Sequence, residues 1–109
     1  MRRGDIVLTA LAGDYGKPRP AVVVQGDVVT QAGAESVVVC PMTTSTSGAR
    51  RIRVLVEPSR QNGLRAGSEI MVEKVTAVAL HRFREVIGRL DAATMRAVDR
   101  ALLVVLGIA

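Results

Sequence analysis

Two short β-branched runs set the limits on what this chain can fold into. One is Ala21-Val22-Val23-Val24, entered through Lys17-Pro18-Arg19-Pro20, and the other is Val37-Val38-Val39-Cys40, left through Pro41-Met42-Thr43-Thr44-Ser45. Each is apolar, rich in branched side chains and bounded by proline, glycine or serine, so each reads as a buried strand with polar groups at its end. If the two strands pair, Arg19 and Thr43 approach one another.

The same pattern recurs along the chain. Residues 5–12 read as a first strand, ended by Gly13-Asp14-Tyr15-Gly16 with Pro18 and Pro20. Gly26-Asp27 and Ala32-Gly33-Ala34 carry turn signals, and residues 36–42 form the next long strand. Residues 43–49 are all small or polar and read as a surface loop. Arg51-Ile52-Arg53-Val54 alternates as a half-exposed strand does, with its arginines on one face, and the strand stops at Glu57-Pro58. After the turn residues Asn62-Gly63 and Gly67-Ser68, residues 69–79 read as one central strand, and residues 82–87 as a further short strand or bend that Gly88 interrupts. Asp91 is a helix N-cap, and Met95, Val98, Leu102 and Val105 repeat at helical spacing opposite Arg96, Asp99 and Arg100. Short strands closed by one helix, without alternating strand and helix units, predict a mainly-β barrel rather than a parallel α/β sheet. At 109 residues the chain is expected to be one domain, 1–109, small enough that a partner subunit would add stability.

Hydrophobic residues make up 49% of the chain, yet no apolar stretch approaches the ~20 residues that span a bilayer, so no membrane span is expected. Met1-Arg2-Arg3-Gly4-Asp5 lacks the apolar core of a signal peptide, which makes the cytoplasm the expected location. The single cysteine, Cys40, forms no internal disulfide, and with His81 it does not make a zinc ligand set; no metal or other cofactor is expected. Cys40 reads as a small buried residue, and His81 as structural. A formal net charge of +5 favours a polyanion: nucleic acid is the obvious candidate, but charge alone leaves the partner open, since an acidic protein segment would satisfy it equally.

RNA is cut without a metal when its 2′-hydroxyl attacks the adjacent phosphate. That route needs a base, an acid for the leaving 5′-oxygen, and donors for the charge on the phosphorane. An arginine presents a permanent planar fork of donors, and a threonine hydroxyl adds one more without charge; Arg19 and Thr43 are of those types. Glu73 lies in the apolar run Ile70-Met71-Val72-Glu73-Lys74-Val75, where a carboxylate is either paired or functional, and by position it is the best base candidate. Tyr15 and Phe83 are the only aromatic residues, so RNA binding would rest on cations and loop hydrogen bonds. Lys17, Thr44, Ser45, Arg50, Arg51 and Arg53 are the candidates, with the loop after Thr43 as the specificity element.

Taken in order, Arg3-Gly4-Asp5-Ile6-Val7, Arg19-Pro20-Ala21-Val22-Val23, Pro41-Met42-Thr43, Ile70-Met71-Val72-Glu73-Lys74-Val75, Ile87-Gly88-Arg89-Leu90 and the closing helix to Leu106-Gly107 resemble the MazF/PemK family of toxin endoribonucleases. The resemblance implies a small SH3-like β-barrel (CcdB/PemK-like) with a C-terminal helix, assembled as a homodimer. It implies the toxin of a type II toxin–antitoxin system, a sequence-selective, metal-independent endoribonuclease that cuts single-stranded mRNA by 2′-hydroxyl attack. Its partners would be that RNA and an acidic, MazE-like antitoxin. Catalytic roles fall on Arg19 and Thr43, and Glu73 would either orient Arg19 or transfer a proton. The first loop, Asp14-Tyr15-Gly16-Lys17, is shorter than in many relatives, which argues against first-loop catalysis. The alternative is a non-catalytic toxin that binds DNA gyrase, because the CcdB poisons share the barrel and Leu106-Gly107-Ile108 is similar to their C-terminal Gly-Ile. The tryptophan that precedes it there is absent here, and those toxins lack the Arg19 and Thr43 pairing.

Overall fold

The computed structural model describes residues 1–11, 17–46 and 52–109. Seven strands form one antiparallel sheet: β1 (Asp5–Thr9), β2 (Arg19–Val23), β3 (Ser36–Thr43), β4 (Arg53–Val56), β5 (Ser68–Met71), β6 (Thr76–Ala79) and β7 (Phe83–Arg89). A short helix, α1 (Asp27–Gln31), links β2 to β3, and α2 (Ala92–Val105) closes the chain. The strand order is β4-β5-β3-β2-β1-β7, with β6 also on β3. The mainly-β architecture with a C-terminal helix is the one expected from the sequence.

The two β-branched runs are buried on both faces, which explains their lack of polar alternation. Ile6, Val22, Cys40, Met42 and Ile70 pack with Val98 of α2 into one core, and Val7, Ala21, Val23, Val37 and Val39 form a second. Successive residues of one strand serve opposite cores, as the period of two requires. Asp91 caps α2 by accepting a hydrogen bond from the Thr94 amide at 2.7 Å, and that bond holds its carboxyl below its usual range.

The third run departs from the expected single strand over 69–79. A turn of 3-10 helix at Val72–Lys74 divides it into β5, which pairs with Met42 and Thr43, and β6, which pairs with residues 36–39. The register along β3 slips by three residues between the two pairings. The slip follows from packing: Val72 and Val75 both turn into the core against α2, where an unbroken strand would send them to opposite faces. Glu73 and Lys74 therefore lie in a turn.

Three smaller differences follow from local chemistry. The first and fourth strands are shorter than expected, at Asp5–Thr9 and Arg53–Val56. Helix α1 fills the stretch between the turn signals at Gly26-Asp27 and Ala32-Gly33-Ala34, where the sequence signalled only turns. It is held by Gln25, whose Nε2 donates to Thr30 Oγ1 at 3.0 Å while its Oε1 accepts from the Val38 amide at 3.2 Å. Strand β7 runs through Gly88 rather than ending there, because a glycine is needed at that point: a Cβ on Gly88 would lie 2.3 Å from the Asn62 backbone. Among the described residues no helix is long and apolar enough to cross a membrane.

Candidate active site

Strands β2 and β3 pair with Ala21 opposite Pro41, Val22 opposite Cys40 and Val23 opposite Val39. Continued by two residues, that register sets Arg19 opposite Thr43, on the same face of the sheet as Ala21 and Pro41. On the other side of Arg19 lies Thr9 of β1, and on the other side of Thr43 lies Glu69 of β5. Thr9, Arg19, Thr43 and Glu69 thus form one row across four strands. Pro20 is tolerated at the start of β2, where a ladder bond is not required of it.

Arg19 and Thr43 line one cleft of about 550 Å3. Its polar lining includes Lys74, Thr76 and Arg82, while Pro41, Met71, Ala77 and Ala79 make the apolar part. Arg19 is exposed and Thr43 half-buried. Thr43 Oγ1 accepts a hydrogen bond from the Ser45 amide at 3.1 Å, which keeps its O–H for donation to an incoming oxygen. An arginine and a hydroxyl aimed into one cleft are the donors a phosphorane requires.

The other expected residues divide. Lys17 is exposed just before Arg19, and Thr44 and Ser45 are exposed just after Thr43, so all three flank the cleft. Arg50 and Arg51 lie outside the described residues, as do Asp14 and Tyr15. Arg53 is not on a solvated face. Its side chain is only 10% exposed and is gripped by two carboxylates: Nε and Nη2 donate to Glu73 Oε2 at 3.0 and 2.8 Å, and Nη1 to Glu69 Oε1 at 3.4 Å. The bonds from Glu73 hold the Arg53 guanidinium charged, pushing its pKa above the ordinary arginine value. Whether Arg53 shares a face with Arg51, as expected, lies outside the described residues; its pairing with Glu69 of β5 and Glu73 of the turn after it makes it a buried ion-pair partner rather than a phosphate tracker.

Glu73 is correspondingly engaged with Arg53 and is not among the residues that line the cleft. Its neighbour Lys74 lines it instead. Lys74 and Arg82 are the site residues that sequence reasoning missed, Lys74 because the break at Val72–Lys74 left no trace in the apolar pattern. Arg82 had a weak signal, its place in a cationic cluster with Arg84. Cys40 is fully buried, and burial pushes its thiol up to about 12, so it serves packing.

A family model described as PemK-like, MazF-like toxin of type II toxin–antitoxin system matches residues 2–106. A Mycolicibacterium smegmatis protein named "Probable endoribonuclease MazF" is 44% identical over 110 residues, spanning 100% of this chain and 99% of its own. Endoribonuclease MazF9 of Mycobacterium tuberculosis is 30% identical over 110 residues, spanning 94% and 92%. Among solved structures, an endoribonuclease in complex with its cognate antitoxin from a mycobacterial species has a TM-score of 0.84 at 19% identity, covering 100% of this chain and 97% of that one. The M. tuberculosis toxin MazF-mt6 has a TM-score of 0.80 at 23% identity, covering 94% and 96%. At these identities the structural likeness speaks for the fold.

Proposed function

The chain belongs to the PemK-like, MazF-like toxin family of type II toxin–antitoxin systems, and from that membership we infer that it is an endoribonuclease whose reaction centre is the Arg19 and Thr43 pair. The observation that supports this reading is that the two line one cleft, at the ends of strands whose register, continued by two residues, would bring them opposite each other. The substrate is single-stranded RNA, cut at selected sequences. Its 2′-hydroxyl attacks the adjacent phosphate, and the Arg19 guanidinium and the Thr43 hydroxyl take up the charge that grows on the non-bridging oxygens. No metal is needed for that route. Products carry 2′,3′-cyclic phosphate and 5′-hydroxyl ends.

Glu73 enters the mechanism as a positioning residue. Its bonds to Arg53 fix the turn from which Lys74 reaches the cleft, and that engagement argues against Glu73 as the base. Lys17, Thr44 and Ser45 contact the RNA beside the scissile phosphate. Residues 1–109 form one toxin domain, which the match over 2–106 supports, and it acts in the cytoplasm as a homodimer. An acidic antitoxin segment silences it by covering the basic cleft, in keeping with the antitoxin complex of the mycobacterial relative. The gyrase-binding alternative has no support from the relatives.

The test is a long single-stranded transcript incubated with the purified protein in EDTA, followed by mapping of the ends. Discrete cuts with cyclic phosphate ends are expected, lost in Arg19→Ala and Thr43→Ala. RNA left intact by the wild type, or cuts that vanish in EDTA and return with a divalent ion, would overturn the reading.

A further inference from the structure

Three of the arginines are neutralised internally. Arg3 pairs with Asp99, Arg89 with Asp5, and Arg53 with Glu69 and Glu73. Lys74 and Arg82 are set apart from those three and, with Arg19, from the other described cations by their place at the cleft. Both are exposed, both line the cleft, and no carboxylate among the described residues pairs with either.

Each is also held in place by its backbone. Lys74 closes the turn that Val72 and Val75 anchor in the core. The carbonyl of Arg82 accepts from the Ala10 amide at 3.1 Å and from Thr9 Oγ1 at 3.1 Å, which fastens it to β1, one strand from Arg19. Unpaired cations on fixed backbone around a cleft favour a ligand that brings its own anions. One phosphate is already served by Arg19 and Thr43. Two further cations call for further phosphates on the same strand.

Resting on the endoribonuclease reading above, we propose that Lys74 and Arg82 hold the RNA phosphates that neighbour the scissile one, so that the cleft grips a run of successive nucleotides by its backbone. Among the described residues the apolar lining, Pro41, Met71, Ala77 and Ala79, offers no aromatic ring for a base to stack on. Ionic contacts therefore supply the affinity, and binding is strongly salt-dependent.

The test is salt titration of binding to a fluorescein-labelled single-stranded RNA taken from a mapped cut site, with a deoxyribose at the attacking position so that it binds uncut. Each contact to a single strand contributes about 0.7 to the slope of log affinity against log salt. Lys74→Ala and Arg82→Ala are each expected to lower the slope by about that amount and to weaken binding roughly fivefold at 0.1 M salt. On the cleavable RNA, the loss in kcat/KM is expected mainly in KM. Lys74→Arg and Arg82→Lys restore the slope, and Arg60→Ala, outside the cleft, leaves it unchanged. An unchanged slope in both alanine variants, or a loss confined to kcat, overturns the proposal. RNA left intact by the wild type overturns the endoribonuclease reading instead, and the same slopes measured on that intact RNA still decide the phosphate contacts.

Discussion

In the proposed mechanism Arg19 and Thr43 act on one phosphate from neighbouring strands, and neither substitutes for the other. Loss of a donor aimed at the transition state costs about 100- to 1000-fold in rate. Arg19→Ala is expected to fall in that range in single-turnover cleavage, with Thr43→Ala at its lower end because a neutral hydroxyl is the weaker donor. Glu73→Gln separates two roles. If Glu73 positions the turn through Arg53, the variant melts at a lower temperature and its pH–rate profile keeps the wild-type acidic limb; loss of that limb would make Glu73 the base. Cys40 supplies a pH prediction. Its thiol rises from 9.0 to about 12 in the folded state, so its burial stabilises fully below pH 9.0. That contribution is lost as the pH climbs from 9.0 through about 12, because the unfolded thiol ionises first. Cys40→Ala is expected to flatten the alkaline fall in stability, as measured by urea unfolding across that range.

At the scale of elements, close backbone contact does much of the positioning. The loop before β5 rests on β7: a Cβ on Gly63 would lie 2.0 Å from the Ile87 carbonyl oxygen, and the Arg89 amide donates to the Gln61 carbonyl at 2.9 Å. Gly88→Ala is expected to cost about 1–3 kcal/mol, the range for overpacking, against about 2–5 kcal/mol for Ile70→Ala, which empties the core beside α2. Thermal or urea unfolding reads both. The elements legible from sequence were those whose side chains declare their surroundings. The runs at 21–24 and 37–40 are apolar on both faces and so had to be interior strands, and their proline and hydroxyl ends brought Arg19 and Thr43 together. Helix α2 declared itself through its cap and its period. The break at Val72–Lys74 did not, because a three-residue slip leaves an apolar run looking like an unbroken strand. Helix α1 was hidden by Val28, Val29 and Thr30, branched residues with weak helix preference. Arg53 reads as half-exposed from its alternation alone, because the carboxylates that bury it, Glu69 and Glu73, come from other segments.

Across the whole molecule, the residues that signal the family serve two ends. Arg3-Gly4-Asp5 and Ile87-Gly88-Arg89 meet as a frame: Gly4 takes a positive φ, its amide donates to the Val23 carbonyl, and Arg89 bonds Asp5 at 2.8 Å. Arg19 and Thr43 lie apart from that frame, in the cleft. Ion pairs absorb Arg3 and Arg89 in the frame, while Lys74 and Arg82 face the cleft with no carboxylate partner among the described residues. An acidic antitoxin peptide is therefore expected to compete with RNA, and its apparent affinity to fall with salt as the RNA affinity does. The central claim is that Arg19 and Thr43 are one site, and a double-mutant cycle tests it most directly. Single-turnover cleavage of a mapped RNA is measured for the wild type, Arg19→Ala, Thr43→Ala and the double variant. The account predicts a double variant scarcely slower than Arg19→Ala, since groups that act as a unit do not add. Fully additive losses, or a Thr43→Ala enzyme as fast as the wild type, would contradict it.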